Sequence, residues 1–379
     1  MKLVVIANES PWPSNHGGRI RIAQVLQVFG SHHEVYLAAP SGQDFQAPDF
    51  IAGSIRLVKQ ASSRNKFSFR PKLGADLLGH NQARLREFID QVQPDLIYWT
   101  HSYLPAGAPA LFAEFADISF VEFANIEGER FASMAKSQKM RGKFRLMLES
   151  LKAKIWEPKV ARKAKAAVAL SEKDACRLSE WDANVLLAPN GVNYQPLATT
   201  GSDAYLLIFA SMNYAPNIES TLDFVENFWP KVSAVFPDLE LVVAGRSANK
   251  LNLMESVNLR IVSDPESQEA IYQGALASVI PTTSGGGSQL KITESLQRNR
   301  LCLISPYTLS TAPPELSGYL SKFTFSNADE LIEKLKPLQN LQIRAQQELA
   351  IEGELRTLSW ENAMDQVLVE LTKLSTSKN

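Results

Sequence analysis

Pro281-Thr-Thr-Ser-Gly-Gly-Gly-Ser-Gln-Leu-Lys291-Ile-Thr-Glu294-Ser-Leu296 follows an apolar run, Ala275 to Ile280, and leads into a helical pattern. The run reads as a buried strand that ends at a proline. Beyond the glycines, Leu290, Ile292 and Leu296 sit among Lys291, Glu294 and Gln297, as on a helix packed by one face. Strand, triple glycine and helix start together build an anion site. Glycines let backbone N–H groups converge, and a helix N-terminus adds partial positive charge. Lys291 falls in the first turn, within reach of a phosphate. Glu294 lies about one turn later, where a carboxylate can accept from ribose hydroxyls. The Gly-Lys-Ser/Thr ending of a P-loop is absent. The same residues also suit a glycine-rich turn that merely packs tightly.

Working outward, the 379 residues are too many for one ordinary core and suit two domains. A hydrophobic content of 45% with 21% charged residues is that of a soluble globular chain. The two cysteines, Cys176 and Cys302, lie far apart in separate apolar segments. That speaks against a disulfide framework and a metal cluster, and for a reducing compartment. Lys2 to Ala7 is too short an apolar run for a signal peptide, and no run approaches the length that spans a bilayer. The expected location is cytoplasmic.

The net charge of −1 hides an asymmetry: the first 200 residues carry excess Lys and Arg, the remainder excess Asp and Glu. The basic residues concentrate from Arg130 to Lys165, opposed only by Glu149 and Glu157. A second acid-free stretch, Arg56 to Lys72, interleaves Phe67 and Phe69. Such clusters attract anionic surfaces, lipid headgroups or nucleic acid, although a Lys-rich helix face can also be merely solvated. No RNA- or DNA-reading motif accompanies the charge, so nucleic acid is not expected. Met134, Met140, Phe144, Leu146, Met147, Leu148, Leu151, Ile155 and Trp156 add apolar surface in the same segment, some of it needed for the core.

In chain order, strands are expected at Leu3–Ala7, Val35–Ala39, Ile55–Val58, Asp95–Trp99, Ser119–Glu122, Ala166–Leu170 and Val185–Leu187. Helical patterns separate them, which means a parallel, doubly wound sheet. Ala198–Ser202 reads as a linker. The alternation then restarts with strands at Tyr205–Phe209, Leu239–Ala244, Leu259–Val262, Ala277–Ile280 and Leu301–Ile304. The fold class is therefore α/β, with two Rossmann-like halves and ligands at strand carboxyl ends, in a cleft between them. The expected division is 1–197, 203–355 and a C-terminal helix in 356–379 that can cap either half, including by crossing back to the first. No Gly-x-Gly-x-x-Gly follows the first strand, which disfavours a dinucleotide-dependent dehydrogenase.

Four stretches in order resemble GT-B glycosyltransferases of the family 4 type. They are Pro13-Ser-Asn-His-Gly-Gly18 with Arg19 and Arg21, Ala169-Leu-Ser-Glu-Lys-Asp174 followed by Ala188-Pro-Asn-Gly-Val-Asn193, Phe209-Ala-Ser-Met-Asn-Tyr-Ala-Pro-Asn217, and the opening stretch. The resemblance covers nearly the whole chain. It implies a retaining, metal-independent transfer of a sugar from a UDP- or GDP-linked donor to a glycan or lipid-linked acceptor, in surface polysaccharide or glycoconjugate assembly. No cofactor is implied, the nucleotide sugar being substrate. It assigns the donor to Gly286, Gly287, Ser288, Gln289, Leu290, Lys291 and Glu294, with Arg246 and Asn213. Gly17, Gly18 and Arg21 fall to the phosphate and acceptor loop, Asn125 and Glu127 to the acceptor side, and His101 to catalysis near the sugar. A solvent-facing loop histidine and a first-turn helix acid are the alternatives for His101 and Glu127.

The departures from the family pattern are specific. Gly286 stands where many members carry a glutamate, Ser211 and Asn217 stand near the usual Arg and Lys, and Ala124 replaces a His. These changes keep open an epimerase on the same fold and a non-catalytic nucleotide-sugar-binding relative. With no Asp-x-Asp pair to hold a divalent cation, charge on a departing diphosphate has to be met by basic side chains and oriented amides. The basic run implies peripheral contact with the inner face of the membrane.

Overall fold

The computed structural model describes residues 1–14, 17–40, 47–58, 72–136, 140–199, 205–255, 258–284 and 290–376. The chain divides into two compact units, Met1–Asn190 together with Trp360–Asn379, and Gly191–Ser359.

In the first unit seven strands form one sheet: β1 (Lys2–Ile6), β2 (Glu34–Ala39), β3 (Ile51–Arg56), β4 (Leu96–Trp99), β5 (Ser119–Phe123), β6 (Ala166–Ala169) and β7 (Val185–Leu187). Their order is β3-β2-β1-β4-β5-β6-β7, and neighbours pair in parallel. A parallel sheet is covered on both faces, so its strands read as unbroken apolar runs. Residues 3 to 6 of β1 are buried and sort by strand alternation. Val4 and Ile6 pack with Leu85, Phe88 and Ile89 of the helix Gln82–Val92. Leu3 and Val5 pack on the other face with Val25, Leu26 and Phe29 of the helix Gly17–His32. That second face also holds Trp360, Met364, Val367 and Leu371 from the end of the chain.

β3 begins at Ile51 rather than near Ile55. It is an edge strand whose faces alternate between shielded and open positions, so it lacks the apolar run that marks the others.

The second unit repeats the plan with β8 (Tyr205–Phe209), β9 (Leu241–Gly245), β10 (Leu259–Ser263), β11 (Ala275–Ile280) and β12 (Leu301–Ile304), in the order β10-β9-β8-β11-β12. Its pairs are parallel too. Leu206 and Ile208 face Phe224, Trp229 and Val232, while Leu207 faces Tyr272. The unit begins before the stretch that reads as a linker. Val192 N–H donates to Leu358 O, Gln195 to Gln297 O and Leu197 to Arg298 O, and the Arg300 guanidinium donates to Ala198 O. These bonds hold residues 192 to 197 and the first residue of that stretch, Ala198, against the second unit.

The end of β9 passes close to the end of β8. Gly245 has φ of 127°, and a Cβ there would stand 2.2 Å from Ala210 O. Only glycine fits both the conformation and the space. Gly245→Ala should therefore lower stability in urea titrations by about 2–4 kcal/mol. A loss under 0.5 kcal/mol would mean that this crossing relaxes freely.

Candidate functional site

In each sheet the order reverses beside the first strand of the unit, between β1 and β4 and again between β8 and β11. Ligands of open α/β sheets bind at the carboxyl ends of strands at such a reversal. The two places are best taken separately.

In the second unit, Lys291 lies in the first turn of the helix Leu290–Leu296, after β11, and Asn217 lies in the helix Ala215–Asp223, after β8. Lys291 Nζ donates to Asn217 Oδ1 at 2.7 Å, joining the two sides of the reversal. Burial pulls the ammonium down to about 8, while Glu294 acts the other way. Burial also raises the Glu294 carboxyl, against the opposing charges of Arg298 and Lys291. The hydrogen-bond partner of Lys291 among the described residues is thus a neutral amide, which satisfies one of three N–H donors and cancels no charge.

The loops after β8 and β9 meet nearby, with Met212 N–H donating to Arg246 O at 2.8 Å. Arg246 is exposed, and exposed Asn213 accepts from Lys250 Nζ at 2.5 Å. Leu290 is half-buried at the start of its helix. Gly286, Gly287, Ser288 and Gln289 lie outside the described residues.

In the first unit, Asn8 after β1 meets Thr100 and Tyr103 after β4. Asn8 N–H donates to Thr100 Oγ1 at 3.1 Å, Thr100 Oγ1 to Asn8 Oδ1 at 3.0 Å, and Asn8 Nδ2 to Tyr103 Oη at 3.2 Å. His101 lies here, 8% exposed, its ring 3.8 Å from that of Tyr103. Its Nε2 is 3.6 Å from Glu127 Oε1, and its buried Nδ1 has no hydrogen-bond partner among the described residues. Burial, reinforced by the Arg130 charge, lowers the imidazole to about 3, so it is neutral at physiological pH.

Glu127 opens the helix Glu127–Lys136 and is buried, with both carboxylate oxygens held by Arg130 Nη1 at 2.9 and 2.6 Å. It is both a first-turn acid and a neighbour of His101. Asn125 stands half-buried between β5 and that helix. Gly17 and Gly18 open the helix Gly17–His32.

Arg21 corrects the sequence reading. It is 4% exposed and donates to Glu122 Oε1 at 2.8 Å, Ala188 O at 2.9 Å, Pro189 O at 3.1 Å and Asn190 Oδ1 at 3.2 Å. Tyr98 donates to the other Glu122 oxygen at 2.6 Å. A guanidinium so occupied tethers β5 to the turn after β7 and has no free edge for a phosphate. Proximity in sequence to the glycines concealed this, because Glu122 lies a hundred residues away.

Sequence reasoning also passed over Glu157, on the long helix Met140–Lys163. Its carboxylate accepts from the backbone N–H groups of Glu127 at 2.8 Å and Gly128 at 3.0 Å, satisfying two orphan donors at that helix start. Gly128 permits the approach, since a Cβ there would meet Lys154 Cγ at 2.7 Å. One of only two acids in a long basic run was the available signal. Burial pushes Glu157 up to about 7, although both N–H donors favour the charged form. A pocket beside it is lined by Ser102, Tyr103, Phe131, Ala153 and Trp156, with Glu127, Glu149 and Glu157. Carboxylates among aromatic walls suit a hydroxyl-rich ligand.

Two measurements test these assignments. Arg21→Ala strands Glu122 in the core and should cost about 3–5 kcal/mol of stability in urea titrations; a change below 1 kcal/mol would return Arg21 to the candidate ligand residues. The raised Glu157 carboxyl binds its proton more tightly in the folded chain than at the ordinary value of 4.5. Its stabilisation is full below that value and lost as pH rises through about 7. Glu157→Gln should thus shrink the fall in stability between pH 5 and pH 8 by roughly 2 kcal/mol, and an unchanged pH profile would contradict the assignment.

No protein-family model matches the chain, and no curated protein matches its sequence. Solved structures do. A sucrose-phosphate synthase from Thermosynechococcus elongatus aligns over 100% of both chains with a TM-score of 0.71 and 14% identity. HepE from Anabaena, solved with UDP and glucose, aligns over 98% of this chain and 100% of its own, at 0.61 and 10% identity. A UDP-forming trehalose-phosphate synthase from Burkholderia vietnamiensis aligns over 100% and 98%, at 0.62 and 11% identity. The fold of this chain is the GT-B fold that these glycosyltransferases share.

Proposed function

We propose that the protein is a glycosyltransferase that moves a sugar from a nucleotide-sugar donor to a glycan or lipid-linked acceptor, in surface polysaccharide or glycoconjugate assembly. The observation that carries the donor assignment is Lys291, a half-buried ammonium at the β8–β11 reversal that donates to the neutral Asn217. A diphosphate there would supply the missing negative charge. As the sugar–phosphate bond breaks, negative charge grows on the leaving diphosphate, and a fixed cation in a partly dehydrated place stabilises it more than water could. Glu294, one helical turn on, would accept from the ribose hydroxyls. HepE is solved with UDP, and the trehalose-phosphate synthase forms UDP, which favours a uridine donor over a guanosine one.

The acceptor belongs with the first unit in this reading. His101, neutral and with Nδ1 unpartnered among the described residues, would offer a hydrogen bond to a sugar hydroxyl rather than a charge. Asn125 and Glu127 would line the acceptor side, and Gly17 and Gly18 the loop that approaches phosphate. Retention of configuration is proposed on the sequence resemblance, with the departing phosphate taking the acceptor proton. A metal-free route rests on Lys291 as the resident cation and on a sequence without an Asp-x-Asp pair. The free Cys176 and Cys302 fit a reducing compartment, and the basic run supports peripheral contact with an anionic membrane face.

Titration calorimetry with UDP- and GDP-sugars, followed by transfer assays, tests the proposal. Lys291→Ala should weaken donor binding at least about tenfold, as the loss of one charge-assisted contact predicts, while Lys322→Ala on the exposed surface leaves it unchanged. In the intact protein, affinity should hold below pH 8 and decline above it, because the diphosphate binds the protonated amine. Equal effects of the two substitutions would remove the donor site from this loop. Tight binding without turnover on any acceptor would point to the non-catalytic relative.

A further inference from the structure

The long helix Met140–Lys163 is built the wrong way round for an ordinary surface helix. Ser150, Ala153, Glu157, Val160, Ala161 and Ala164 mark its buried side, a row of mainly small residues that continues just past the helix end. The opposite side carries Phe144, Met147, Leu148, Leu151 and Ile155, exposed by 73%, 55%, 39%, 57% and 40%. At 100° per residue these five fall within a stripe roughly 100° wide. Exposed Lys143 and Lys154 border it on one side, and exposed Arg145, Lys159 and Lys163 on the other. The two acids of the helix, Glu149 and Glu157, both lie toward the body of the unit and line the pocket described above. From Phe144 to Ile155 the outward half is thus apolar along its midline, cationic on both borders and free of acids, and exposed Arg162 continues the midline near the helix end.

We infer that this stripe docks the protein in the interface of an anionic lipid bilayer, the helix lying in the membrane plane with Phe144, Met147, Leu148, Leu151 and Ile155 turned into the acyl region. From Phe144 to Ile155 the stripe is about 16 Å long, about half a hydrocarbon core, and no helix among the described residues is long and apolar enough to cross a membrane. Apolar midline and basic borders are the two signals that together hold a helix at an anionic interface. A second copy of the chain fits less well. A two-fold contact through the stripe would bring the basic borders of both copies together with no acid to pair them. The inference deepens the membrane part of the proposed function and names the element that makes the contact. It also places the pocket of Glu149, Ala153, Trp156 and Glu157 on the other side of the docking helix, as a lipid-linked acceptor would require.

Co-sedimentation with vesicles of phosphatidylcholine and phosphatidylglycerol, against phosphatidylcholine alone, tests it on the full chain. The protein should partition to the anionic vesicles at least tenfold more strongly than to the neutral ones. The pair Phe144→Glu and Leu151→Glu should abolish at least nine-tenths of that binding. A Phe144→Trp variant should gain blue-shifted fluorescence and quenching by brominated acyl chains when anionic vesicles are added. Calorimetry with UDP on the same samples reads the donor site separately, and the outward variants should bind UDP as the parent does. Equal sedimentation of parent and double variant, or no binding to anionic vesicles at low salt, would overturn the inference. So would a dimer in light scattering that the double variant dissolves, which would assign the stripe to a second copy.

Discussion

Crossover helices that leave a parallel sheet on opposite faces cannot both close over the carboxyl ends of the strands where they part. In the first unit the helix Gly17–His32, between β1 and β2, packs on one face, and Gln82–Val92, between β3 and β4, packs on the other. In the second unit Phe224 and Trp229 lie on one face and Tyr272 on the other. Both candidate ligand places follow from that geometric constraint. The polar links nearby are few and specific: Asn8 with Thr100 and Tyr103 in one unit, Asn217 with Lys291 in the other. They leave a buried imidazole nitrogen without a hydrogen-bond partner among the described residues and a half-buried ammonium bonded to a neutral amide.

Charge is held in two different ways. Arg21 and Glu122 hold each other at 2.8 Å, with three more guanidinium N–H groups taken by carbonyl oxygens and the other carboxylate oxygen by Tyr98. Such a set is closed, and breaking it gains nothing for a ligand. Lys291 has one amide oxygen and a carboxylate a turn away. Arginine near a glycine loop and lysine near a glycine loop read alike in sequence. Which is satisfied depends on residues about a hundred positions distant.

The architecture was legible because parallel strands buried on both faces make long apolar runs, and eleven of the twelve runs stand where strands form. The third strand was misplaced because an edge strand need bury only part of itself. Gly286 to Gln289 lie outside the described residues, while Lys291 finds a partner in Asn217. That asparagine had registered as the loss of an expected cation, and its position against the lysine is what sequence alone could not give. Glu157 was visible as an isolated acid among bases, but its work, capping a neighbouring helix through Gly128, depends on packing between two helices.

The end of the chain has a consequence for how the molecule is made. Trp360, Met364, Val367 and Leu371 complete a core whose other members come from the first 188 residues, yet they follow the whole of the second unit. During synthesis the second unit therefore emerges in full while the first still lacks one wall. Domains usually finish in the order in which they are translated; here the unit begun first is the last to close. Until residues 360 to 371 arrive, one face of β1 and the helix beside it stays partly bare, which makes the nascent first unit the species most in need of a chaperone.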